Sequence, residues 1–63
     1  MGTAEVIDYA HPAMMAEKAL RAMHEAALQC DWYEARQQAL TAIKWAAEVH
    51  SALVVMQQKD ERR

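Results

Sequence analysis

Residues 26–46 read AALQCDWYEARQQALTAIKWA, and the fold turns on the middle of that stretch. The residues up to Gln29 favour helix, and so do those from Ala35 onward. No Gly or Pro marks a break between them. Asp31 supplies one instead, because its carboxylate can accept from the orphan N–H groups that open a helix, and Glu34 three residues later completes a capping-box spacing. The stretch therefore predicts a helix ending near Gln29, a turn at residues 30–31 and a second helix from Trp32. A connection this short makes the two helices lie side by side and antiparallel.

Upstream, Pro12 suits the first turn of a helix, where its missing N–H has no acceptor to lose, so the first helix is expected over residues 12–29. Downstream, helix formers continue without interruption and the second helix is expected over residues 32–58. Residues 1–11, MGTAEVIDYAH, show no sustained period and read as an N-terminal arm in which Thr3 can cap a short turn, or Val6, Ile7 and Tyr9 lie extended. The closing KDERR, residues 59–63, reads as a solvated tail whose cations suit the negative end of a helix dipole. Composition agrees with this layout. One Gly, one Pro, no Phe and fourteen alanines among 63 residues suit helices and disfavour strands. The expected fold class is all-α: an antiparallel two-helix hairpin with a short N-terminal arm, pairing into a four-helix homodimer.

The pairing follows from the helix faces. At about 100° per residue, the first helix gathers Ala16, Ala19, Leu20, Met23, Ala26, Ala27 and Cys30 on one half, with Glu17, Lys18, Arg21 and Glu25 opposite. The second helix carries an alanine line, Ala35, Ala39, Ala42 and Ala46. Beside it lie Leu40, Ile43, Ala47, His50 and Val54, with Trp45 and Ala52 on the other flank. These positions cover roughly 240° of the helix, whereas one neighbour occupies a stripe nearer 100°. The alanine line is expected to be the intramolecular seam, facing Ala19, Met23 and Ala26. The larger residues then need another cover, either a second copy or the arm. A chain below about 70 residues seldom holds more than roughly 3–5 kcal/mol in one core without disulfides, metal or oligomerisation, which points to a copy.

Several function classes fall away. Seven Lys and Arg against nine Asp and Glu give a net charge of -2, with no clustered positive footprint for nucleic acid. Cys30 is the single cysteine, read as a small buried residue, so no internal disulfide is possible. The longest uncharged apolar run, around residues 51–56, is far short of the about 20 residues that cross a membrane. The N-terminus lacks the pattern of a signal peptide, and Val6 stands where a myristoylation motif wants Ser or Thr. A cytoplasmic protein without membrane contact is the expectation. His11, His24 and His50 do not fall in paired metal-ligand spacings, His50 being read as a partly buried histidine or a pH-sensitive interface residue. Cys30 and His24 lie on different sides of the first helix, and no Gly-rich loop is possible, so neither an enzyme nor a cofactor is expected.

Contact residues are the remaining candidates. Leu40, Ile43, Trp45, Ala47, His50 and Val54 are the expected dimer or partner interface. Leu28 and Tyr33, outward near the turn, are a second candidate contact point, since Tyr and Trp often anchor interfaces. Trp32 is expected over Cys30 and the end of the first helix. Glu17 with Arg21 and Lys44 with Glu48 read as solvated i,i+4 pairs.

The stretch over residues 26–46 resembles the middle of a tetratricopeptide repeat, with Ala27, Trp32, Ala35, Ala39 and Ala42 in matching places and Cys30 where that family prefers Gly. The resemblance implies a hairpin geometry; the chain does not repeat itself, and a solenoid needs about three units. As a short, alanine-rich hairpin without catalytic residues, the chain is also similar to the small accessory proteins of phages and prophages, which implies binding to, and inhibition or redirection of, a host protein. A structural or assembly subunit without regulatory role is the alternative.

Overall fold

In a computed structural model of the chain, residues 9–61 are described. They form helix α1, Ala10–Leu28, and helix α2, Trp32–Glu61, packed along one another, with no strand among the described residues. The all-α hairpin is thus present. The expected arm and tail lie partly outside: Thr3, Val6 and Ile7, and Arg62 and Arg63, are not among the described residues.

α1 begins two residues earlier than Pro12. Tyr9 is its N-cap, and the Tyr9 carbonyl accepts from the Ala13 N–H at 3.0 Å. Pro12 still falls within the first turn, where its lack of an N–H loses no bond, and it is buried. The other end closes by two backbone bonds, from the Asp31 N–H to the Ala26 carbonyl at 2.9 Å and from the Cys30 N–H to the Ala27 carbonyl at 2.9 Å. That pair of bonds is the Schellman ending, which requires a left-handed residue just past the helix. Cys30 supplies it with φ 60°. Cys30 is also exposed, not the small buried residue expected. The left-handed turn fixes it outside the interface between the helices.

α2 opens as the sequence indicates. The Glu34 N–H donates to Asp31 Oδ1 at 3.2 Å. Only half of the capping box forms, because the Asp31 N–H is already bound to Ala26 and the Glu34 carboxylate accepts from Gln38 Nε2 at 2.8 Å. The helix runs three residues beyond position 58, to Glu61.

The core is made of alanine. Ala19 and Ala26 of α1 meet Ala35 and Ala42 of α2, and these four are the buried hydrophobic side chains of the core. Small side chains allow the backbones to approach closely, as expected, but the seam on α2 departs from the expected line. Beyond Ala42 it passes through Trp45, Val49 and Ala52, all half-buried, while Ala46 is exposed. Both lines take alternating steps of three and four and share Ala35 and Ala42. A helix drifts by about 20° per heptad against that repeat, and beyond Ala42 the drift brings the flank of Trp45 and Ala52, not that of Ala46, toward α1. Trp45 is therefore part of the hairpin, set against α1, with the His11 ring edge-on at 5.7 Å and 88°.

The result is a long, thin molecule of 50 × 19 × 12 Å with a radius of gyration of 15.3 Å. A compact chain of this length would have about 11 Å.

Candidate protein-contact surface

With the alanines of α1 and α2 on the contact line, the hairpin has two broad sides of different character. On one, Met23 and Ala27 of α1 face Trp32, Ala35 and Ala39 of α2 across an apolar groove of about 420 Å³, with His24 and Arg36 also lining it. Leu20 stands three residues before Met23 and Ile43 four after Ala39, so helical spacing carries the same side on toward the middle of the hairpin. Both are exposed, Ile43 by 64%. Ala46, His50 and Leu53 continue the α2 edge with the same three-and-four steps, and all three are exposed.

The opposite side is the more polar of the two. Lys18, Gln38 and Thr41 join Met15, Ala22 and Trp45 around a smaller depression of about 240 Å³. Further along, Glu48 and Ser51 lie with His11, Pro12, Trp45 and Val55. Lys44 Nζ sits 5.7 Å from the Trp45 ring centroid, within cation–π reach.

The expected interface residues are distributed unevenly over these surfaces. Leu40, Ile43, Ala47, His50 and Val54 are all exposed. Ile43 and His50 border the apolar side, whereas Leu40 and Ala47 stand about 140–160° from the contact line, on the back of α2. Trp45 does not join them, because it packs within the hairpin. His50 is exposed instead of partly buried. Leu28 and Tyr33 are both 70% exposed, but each lies about 180° from its own contact line, so they occupy the two outer backs and do not form one patch. Trp32 does not cover Cys30; it flanks the groove and is itself 61% exposed.

Leu20, Met23, Trp32 and Leu53 also border this apolar side and were not among the expected interface residues. The apolar half of α1 already contained the signal, since Leu20 and Met23 lie beside the alanines and the alanines fill the seam.

No family model, curated protein or solved structure matches the chain. The surface must be read from its own geometry. No group of three or more His, Cys, Asp and Glu side chains placed to hold a metal ion occurs among the described residues, and the grooves are open and mostly apolar.

The expectation of a cytoplasmic protein without a membrane-length segment has to be corrected. α2 is long and apolar enough to cross a membrane: an 18-residue window within Trp32–Glu61 has a mean hydropathy of 1.3, and only 6% of it is buried. Counting uncharged runs stops at Lys44 and Glu48, while averaging over a helix admits both. Length and composition also fit the core helix of a soluble protein, so no localisation follows.

Proposed function

We propose that the chain is a small protein-binding module: a helical hairpin that completes its core with a second copy of itself and works by contact with another protein. The observation that carries this reading is the mismatch between what is buried and what is exposed. Among the described residues the buried hydrophobic core is four alanines, and methyl groups contribute only about 0.8 kcal/mol each on burial. Leu20, Leu28, Trp32, Leu40, Ile43 and Leu53 meanwhile remain exposed by 45% or more. A hairpin with this distribution needs a cover, and symmetric pairing is the commonest one among soluble oligomers.

The likeness to small accessory proteins of phages and prophages supports a regulatory form of this reading, in which the paired hairpin occludes a surface of a host protein. The tetratricopeptide-like stretch supports only the hairpin geometry. The test is affinity capture with the tagged full chain at about 0.15 M salt. A regulator should retain one enzyme or transcription factor stoichiometrically, and Asp at an exposed apolar position should release it. Retention of several components of one assembly in fixed ratio would favour a structural subunit, and salt-sensitive retention of DNA would contradict both readings.

A further inference from the structure

The self-pairing of the proposed function leaves open which side of the hairpin a copy covers. We infer that it is the side bearing the Met23–Ala27–Trp32–Ala39 groove, so that two hairpins stack face to face in a four-helix arrangement with the opposite, more polar side of each turned outward. The inference rests on the pairing reading and names its surface.

Three observations select this side. First, both helices contribute apolar residues to it: Leu20 and Met23 from α1, Trp32, Ile43 and Leu53 from α2. The back of α2, carrying Leu40 and Ala47, offers one helix only and is interrupted by the exposed Lys44 and Ser51. Second, the area fits. Each partner of a stable complex covers about 800 Å². One broad side of a molecule 50 × 19 Å across is large enough to supply it. Third, the side is self-complementary in relief. It presents both a groove and exposed Leu and Ile ridges beside it, which is what an isologous contact needs, because every ridge must find a groove on an identical surface.

A lipid surface is the competing cover for an apolar side. Helices that lie on membranes carry Lys and Arg on the polar face opposite the apolar one. Here the outer side of α1 mixes Glu17 and Glu25 with Lys18 and Arg21, and the chain is net negative. These charges favour a second copy.

A matched pair of variants of the full chain, Ile43→Asp and Leu40→Asp, tests the choice by sedimentation equilibrium. Both positions are more than 60% exposed in the hairpin, so the variants differ in the side they charge. Ile43→Asp should weaken dimerisation at least about 100-fold by burying an unpaired carboxylate, and Leu40→Asp should leave it within a few-fold of the unmodified chain. Alkylation gives a second measurement that needs no disruptive variant. In a Cys30→Ser background, Ala46→Cys should react at least about tenfold more slowly once the concentration exceeds the dimer transition, and Ala47→Cys should react at an unchanged rate.

The opposite pattern in either measurement would place the interface on the back of α2 and overturn the inference while leaving self-pairing intact. A monomeric unmodified chain would instead overturn self-pairing itself. Flotation of that monomer with phosphatidylcholine–phosphatidylserine vesicles would assign the apolar side to lipid and overturn both.

Discussion

Cys30 does an unusual job for its residue type. It holds the left-handed position on which the two Schellman bonds depend, at φ 60°, where a Cβ crowds the backbone and glycine does not. Cys30→Gly should therefore raise stability by about 1 kcal/mol, read as a higher urea midpoint at unchanged slope. A lower midpoint would mean the side chain contributes something the left-handed turn does not explain. Asp31 is the complementary case. Its carboxylate caps α2 through Glu34, so Asp31→Ala should lower stability by about 1 kcal/mol, with Asp31→Asn nearly neutral in the same urea titration. The cap was legible in the sequence because it depends on two residues at fixed spacing. The left-handed Cys30 was not, since no glycine signalled it and the helix ending is a backbone arrangement.

At the scale of the helix, the alanines were legible as a close-packing seam, but its path was not. A line of alanines on a straight wheel and a heptad seam share Ala35 and Ala42 and then separate, one to Ala46 and the other to Trp45, Val49 and Ala52. What decides between them is the path of α1, since both lines take alternating steps of three and four and only the slow drift of the seam around the helix separates them. Ala42→Leu should therefore force the helices apart and cost about 1–3 kcal/mol, visible as a lower thermal midpoint. The adjacent exposed position gives the contrast: Thr41→Leu should leave the midpoint within about 0.5 kcal/mol of the starting chain. Equal losses at both positions would show that the seam runs elsewhere. Trp45 illustrates the same lesson, since an aromatic residue on a flank looks available until the neighbouring helix is placed beside it.

The whole molecule is a pair of helices with too little between them. α2 spans about 45 Å and α1 about 28 Å at 1.5 Å per residue, so α2 reaches well past the start of its neighbour, and its exposed apolar residues are what make it pass for a membrane-crossing helix. Lys44 and Glu48 would each add about 3 kcal/mol to such a crossing at mid-membrane, whereas the edge of a four-helix stack would leave both in water. If a second copy completes the core, folding and association are linked, and the thermal midpoint should rise with protein concentration. A midpoint independent of concentration over two decades would mean the hairpin stands alone. The most direct measurement is sedimentation equilibrium of the unmodified chain at micromolar concentration. A mass about twice 7.2 kDa is the predicted result, and a helical monomer of 7.2 kDa would contradict the account.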